Sequence, residues 1–214
     1  MSQLLLPRKD DQGNSYISYS QLSTFKKDIG DYYNQYVLGK RFEGNVYTEF
    51  GSKVGEALEH NDFSKFEPQE QDVLRQVIRL DEFEREVRLH YDGFYVLGFI
   101  DTNKADLSHI IDYKTGSEGK EEQYRQDGYT QLCLYALALR QETGVTPSRA
   151  HVNFIQRNGN PGKGEPLTVA PAAPQLIPVD ISEERLKRVY WETLAVAKKM
   201  SEFYQKYREG LEPA

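Results

Sequence analysis

GFIDTNKADLSHIIDYKTG, residues 98–116, carries both the fold signal and the chemistry of this chain. GFID closes one alternating run, LSHIIDYK makes the next, and TNKAD is the short turn between them. Side chains two apart on a strand share a face. Asp112 and Lys114 therefore point one way, and Ile111 and Tyr113 the other. Asp101 lies across the turn and can reach the face of Asp112, so two carboxylates and a lysine converge at a strand end. Converging carboxylates repel and need a cation. Hard oxygen ligands suit Mg²⁺ or Mn²⁺, held by one or two carboxylates with waters and phosphate. Such an ion activates water and offsets charge on a phosphodiester, and an adjacent lysine can orient that water or stabilise the charge that develops. The same Asp-x-Lys spacing also fits a solvated strand face. The apolar Ile110-Ile111 before Asp112 and Gly116 after Lys114 favour a site where a buried strand runs out into a turn.

Outward from this stretch, REVRLHY and FYVLGFID alternate around Asp92-Gly93, a strong hairpin signal. Three strands in meander order are expected over about 85–114. A helix is expected from Glu121 to about Glu142, with Tyr124, Tyr129, Leu132, Tyr135, Ala136 and Leu139 on one face and Gly144 and Pro147 ending it. RAHVNFIQR reads as a fourth strand and NGNPGKGEPLTVAPAAP as a surface loop. QLIPVDI reads as an edge strand, since Pro178 cannot donate to a ladder. A final helix starts at Ser182 with acidic residues in its first turn, and its stripe Leu186, Tyr190, Leu194, Ala197 is expected to cover the sheet. At the other end, Ser18 with Gln21 three residues on is a capping-box pattern opening one helix that runs to Gly39. FGSKVGEALEH, capped by Ser52, and residues 68–80, with Pro68 in the first turn, make two more helices. The order α-α-α-β-β-β-α-β-β-α describes one α/β (α+β) domain over 16–210, a mixed central β-sheet flanked by helices, with 1–15 as a flexible lead.

Composition narrows the class. The 214 residues carry 27 Lys and Arg against 33 Asp and Glu, a net charge of −6. Aromatics make up 12%, which argues against disorder. No apolar run is long enough to cross a bilayer, and MSQLLLPRKDD lacks the cleavage site of a signal peptide. A soluble cytoplasmic protein is the default. The lone Cys133 excludes a disulfide framework within the chain and a Cys-ligated zinc or iron–sulfur site; it reads as a small buried hydrophobe. His60, His90, His109 and His151 are too scattered for a zinc site. The acidic balance argues against a generic nucleic-acid coat but leaves room for a basic cleft around an acidic metal site.

The motifs, in this order, resemble the RecB-like branch of the PD-(D/E)XK nuclease superfamily, which includes the CRISPR-associated exonucleases of the fourth type and many phage exonucleases. ISYSQLSTFKKDIGDYYNQYVLG looks like the opening helix, FGSKVGEALE like the Gly-x-x-x-His-x-x-Leu-Glu helix, and QDGYTQLCLYALAL like the Gln-x-x-x-Tyr helix. GFID and IIDYKTG supply the acidic and lysine motifs. The resemblance implies a restriction-endonuclease-like core and a divalent-metal-dependent DNA nuclease, an exonuclease in DNA processing or recombination. It implies that Asp101 and Asp112 hold Mg²⁺ or Mn²⁺, that Lys114 orients the attacking water, and that Gln131 and Tyr135, four apart on one helix face, position the strand. Tyr124 and Arg125 become candidate DNA contacts. Two departures stand out. Gly55 stands where the family often has a metal-supporting His, which leaves Glu56 or Glu59 as the expected contributor from that helix. The cysteines of cluster-bearing relatives are absent, so no iron–sulfur cluster is expected. Glu86 is expected nearer the site than Glu84 by strand direction, an exposed edge charge being its simpler reading. The expected partner is single- or double-stranded DNA in the cytoplasm of a bacterium, or of a host if phage-encoded, with a homo-oligomer or a recombination partner added by analogy with ring-forming relatives. No membrane is involved. Gly55 also motivates an alternative, a catalytically silent DNA-binding accessory protein of the same fold.

Overall fold

The Asp92-Gly93 turn closes as its sequence dictates. Gly93 takes φ +88°, and β2 (Glu82–Tyr91) pairs antiparallel with β3 (Phe94–Asn103) from Tyr91↔Phe94 outward. The computed structural model describes residues 4–40 and 44–208. β4 (His109–Gly116) pairs antiparallel with the end of β3, at Thr102↔Ile111, and parallel with β5 (Arg149–Asn158) along its whole length. A three-residue strand, β1 (Tyr16–Ser18), adds in parallel beside Tyr95–Leu97 of β3. β6 (Thr168–Val169) and β7 (Gln175–Pro178) both pair antiparallel with β5. The result is a seven-stranded mixed sheet in the order β1-β3-β4-β5-β6, with β2 on β3 and β7 on β5. Pro178 ends β7 at an edge, where its missing N–H costs no ladder bond.

Helices cover both faces. α5 (Gln131–Thr143) and α6 (Glu183–Arg208) pack on one face through Leu132, Leu139, Leu186 and Met200 against Ile110 and Val152. α3 (Val46–His60) and α4 (Pro68–Leu74) pack on the other through Val54, Leu58 and Leu74 against Ile155. Every residue of α5 from Leu132 to Leu139 is buried. The free edge of β2 is capped by side chains from the end of this helix: Arg88 N–H donates to Glu142 (2.6 Å), His90 N–H to Gln141 (2.6 Å), and the Gln141 amide to the His90 carbonyl (3.0 Å). No helix among the described residues is long and apolar enough to cross a membrane.

Several boundaries differ from the sequence reading. The Ser18–Gln21 capping box is present, with Ser18 N–H bonded to Gln21 Oε1 at 2.8 Å. However, the helix it opens, α1 (Tyr19–Lys27), stops at Asp28. The Asp28 carboxylate takes the Asp31 N–H at 2.9 Å and starts a separate turn, α2 (Ile29–Tyr32), followed by a π-helical turn over Tyr33–Val37. α3 begins at Val46 with Asn45, not Ser52, as its cap, because the Asn45 carboxamide already satisfies the Tyr47 and Thr48 N–H groups. α4 ends at Leu74 rather than residue 80. The helix expected over 121–142 is a 3-10 turn, Lys120–Arg125, and then α5, with the exposed Gly128 between them. Of the lead expected over residues 1–15, residues 1–3 lie outside the described residues, and the rest makes contacts with the core. Leu6 is 1% exposed in the main core, the Leu5 N–H donates to Ser201 on α6 at 2.8 Å, and Lys9 bridges to Ser15. Leu4 and Leu6 make this segment an apolar anchor on the main core.

Candidate active site

β3 and β4 bring the three expected residues together. The Lys114 ammonium lies 2.6 Å from Oδ2 of Asp112, as i and i+2 on one strand face require. Asp101, on the adjoining strand, accepts the Tyr113 N–H. Asp112 is 0% exposed. Its Oδ2 also accepts the Tyr129 hydroxyl at 2.8 Å, while its Oδ1 is buried without a hydrogen-bond partner. A cleft of about 400 Å³ opens over this group, walled by α3 at Gly55, Glu56 and Glu59, by Glu84 on β2, and by Gln131 at the start of α5.

The electrostatics follow from the geometry. Burial, and then the Asp112 charge, push the Asp101 carboxyl up to about 7, against the pull of Lys114 and of the Tyr113 N–H. Burial by itself would lower the Lys114 ammonium, but Asp112 and Asp101 more than offset it and hold Lys114 above its usual range. Burial, then Asp112, raises Tyr129 well above a normal phenol, so it remains a donor to Asp112. Glu84 is raised by partial burial and by the charges of Glu59 and Asp112.

Gln131 and Tyr135 do share a face: the Gln131 amide donates to the Tyr135 hydroxyl at 2.7 Å. Their positions differ, though. Gln131 lines the cleft, whereas Tyr135 is 5% exposed, with its ring laid on Gly98. Tyr135, expected beside Gln131 as a strand contact, does not line the cleft itself. The ring is core, and its hydroxyl holds Gln131. Gly98 of the GFID stretch is a glycine for this reason, since a Cβ there would run into the Tyr135 ring. Tyr124 is half-buried, edge-on to Tyr129 (5.1 Å between centroids) and tilted against Phe154 (5.9 Å). Arg125 is exposed and ion-paired with Glu122 at 3.3 Å. Glu56 and Glu59 both face the cleft, but Glu56 is drawn to Lys65 at 3.4 Å. A Cβ at Gly55 would meet nothing within 4 Å, so the wall has open space at the point where the resemblance leads one to look for His.

Two residues were missed. Tyr129 was read as part of an apolar face, yet it is the buried hydroxyl that orients Asp112. Glu84, not Glu86, reaches the cleft; Glu86 pairs with Arg88 at 2.6 Å outside it. The two glutamates are two apart, so alternation puts them on one side, and what separates them is the left-handed backbone at Glu84 (φ +50°).

A mixed sheet carrying paired aspartates and a lysine at one end defines the class, and the comparisons agree. The family model of the PD-(D/E)XK nuclease superfamily matches residues 64–209, and the chain belongs to that superfamily. Among solved structures, a "putative exonuclease" from Eubacterium rectale superposes with a TM-score of 0.57 at 12% identity, covering 93% of this chain and 83% of the other. SSO0001 is a more distant match, with a TM-score of 0.42 at 14% identity over 88% of this chain and 78% of the other. No curated protein matches the sequence.

The family's nucleases use divalent metals, and the residues here fit one. Asp112 Oδ1 is a buried, unpartnered carboxylate oxygen at the floor of the cleft, and Asp101 adds a second hard donor. As they stand, no three His, Cys, Asp or Glu side chains among the described residues are gathered as a ready metal cluster. Two carboxylates completed by waters and a phosphate is nevertheless an ordinary arrangement for Mg²⁺.

Proposed function

We propose that the protein is a divalent-metal-dependent DNA nuclease that removes nucleotides from DNA ends, an exonuclease of DNA processing or recombination working in the cytoplasm. The observation that carries this reading is the Asp101–Asp112–Lys114 group, with one oxygen of Asp112 buried and unpartnered beneath an open cleft. The name of the Eubacterium rectale neighbour supports exonucleolytic over internal cleavage. Asp101 and Asp112 would hold Mg²⁺ or Mn²⁺, which supplies a more acidic water and offsets the charge of the phosphate.

The chain's own residues do the rest. Lys114, kept protonated by Asp112, presents N–H groups to the attacking water or to a non-bridging phosphate oxygen, where negative charge accumulates. Tyr129 fixes the rotamer of Asp112 from behind, and Tyr135 does the same for Gln131. Gln131 keeps its carboxamide at the cleft wall, where it can bond the phosphate backbone. Tyr124 and Arg125, a few residues ahead of Gln131 in the chain, would serve as strand contacts.

The test is a digestion of end-labelled linear single- and double-stranded DNA and of closed circular DNA, in Mg²⁺, in Mn²⁺ and in EDTA, beside Lys114→Ala. The expected result is metal-dependent loss of linear substrates only, absent in the variant. A thermal melt of Lys114→Ala accompanies the assay, because the change leaves Asp112 without its cation partner. A Lys114→Ala protein that stays folded and cuts at the parent rate would overturn the assignment. Intact DNA in every lane, with salt-sensitive DNA binding retained, would establish the silent DNA-binding protein that the open wall at Gly55 favours.

A further inference from the structure

Glu84 stands out by its backbone, its place in the ladder and its lack of partners. β2 and β3 run in unbroken register on either side of it, with Phe83 opposite Thr102 and Arg85 opposite Ile100. Glu84 is thus bracketed opposite Asp101. Like charges directly across an antiparallel pair repel, and a residue with a side chain rarely takes the left-handed backbone that Glu84 adopts. Its carboxylate makes no hydrogen bond or ion pair among the described residues. Strain and repulsion held at one position of an otherwise regular strand point to a use for that side chain. Independently, the fully buried Asp112 leaves its Oδ1 unpartnered at the same cleft.

The helix wall lacks an equivalent. Gly55 contributes no side chain, and Glu56 is turned to Lys65. Glu59 faces the cleft from α3, but it sits on the helix, not in register with Asp101. Glu84 is exposed and lines the cleft, and among the described residues no hydrogen bond or ion pair holds its carboxylate elsewhere.

We infer that Glu84 is the third carboxylate of the cation site, supplied by strand β2 in place of a side chain from α3, and that it closes on a divalent ion shared with Asp101 and Asp112. The inference rests on the metal-dependent reading above. Like charges across the strand pair repel, and a shared divalent ion would offset that repulsion.

The experiment is Mn²⁺ binding without DNA, by calorimetric titration and by the shift in melting temperature on adding Mn²⁺, for the parent, Glu84→Gln and Glu86→Gln. Glu84→Gln should weaken Mn²⁺ at least about tenfold, on the scale seen when groups around a bound metal are altered, and shrink the Mn²⁺-induced stabilisation accordingly. In EDTA the same variant should melt no lower than the parent, since it removes a repelling charge and breaks no hydrogen bond. Glu86→Gln should bind Mn²⁺ like the parent. Parent-like Mn²⁺ affinity in Glu84→Gln would overturn the role of Glu84 while leaving the cation site intact. A clear loss of melting temperature in EDTA would show that Glu84 is structural and overturn it as well. A parent that binds no Mn²⁺ would overturn both this inference and the metal-dependent reading beneath it.

Discussion

Replacing Gly98 by Ala puts a methyl group where the Tyr135 ring already lies. The new Cβ would overlap Cε1 of the ring and press on its Cδ1 and Cζ at 3.0 and 3.1 Å. The ring has little room to retreat: Tyr135 is 5% exposed, its neighbours on α5 are buried on every side, and its hydroxyl is tied to Gln131. Overpacking of this kind costs about 1–3 kcal/mol. For a domain of this size each kcal/mol is worth roughly 2–4 °C, so a fall of roughly 2–12 °C in melting temperature is expected. The distinguishing assay is a double-mutant cycle by thermal or denaturant unfolding with Tyr135→Leu, which removes the ring atoms in the way. If the steric account holds, the two changes together cost less than the sum of each alone, by about 1 kcal/mol or more. The site should respond too, because displacing Tyr135 loosens the side chain that holds Gln131 at the cleft. A Gly98→Ala protein that melts within about 1 °C of the parent, or a cycle that closes additively, would refute the reasoning.

Two further outcomes are expected. Leu6→Ala should cost about 2–5 kcal/mol, since Leu6 is 1% exposed in the main core; a parent-like melting temperature would show that the N-terminal segment is dispensable. The Asp101 carboxyl, raised from 3.8 to about 7, binds its proton more tightly in the folded state, so its stabilising contribution is full below pH 4 and lost as pH rises through about 7. His109, lowered by burial from 6.5 to about 4, works in the opposite sense between those two values. Comparing the parent with Asp101→Asn in EDTA cancels the histidine, and the parent's advantage in melting temperature should be larger at pH 5 than at pH 8. A difference independent of pH would remove Asp101 as its source.

What the sequence showed and what it hid divide along physical lines. The hairpin at Asp92-Gly93, the third strand carrying Asp112 and Lys114, and the edge strand marked by Pro178 were legible, because alternation and turn chemistry are local. β1 and β6 are three and two residues long, too short for any periodicity to announce them. The break at Asp28 is decided by a side chain that caps one way among several residues able to do so, and α5 starts late, after the exposed Gly128, with no side-chain cap to announce it. Within the site, Asp101, Asp112, Lys114 and Gln131 came from spacing and resemblance, and they do meet. That the Tyr135 ring is core while only Gln131 lines the cleft is not legible, since helical spacing says nothing of what lies against a face. Glu84 was passed over because a single left-handed residue inside a strand leaves no mark in the pattern.

The capped edge of β2 has a consequence for how the protein keeps company with itself. An uncovered strand edge is a template on which a second chain can extend the sheet, a common first step towards aggregation. Here the backbone N–H groups of Arg88 and His90 are already taken by Glu142 and Gln141. Those two residues end the same helix whose first residue, Gln131, faces the cleft. The helix is pinned at one end by the edge it shields and at the other by the site it builds. The same helix therefore serves two ends of the fold, shielding a strand edge that could otherwise template strand addition and presenting Gln131 to the cleft.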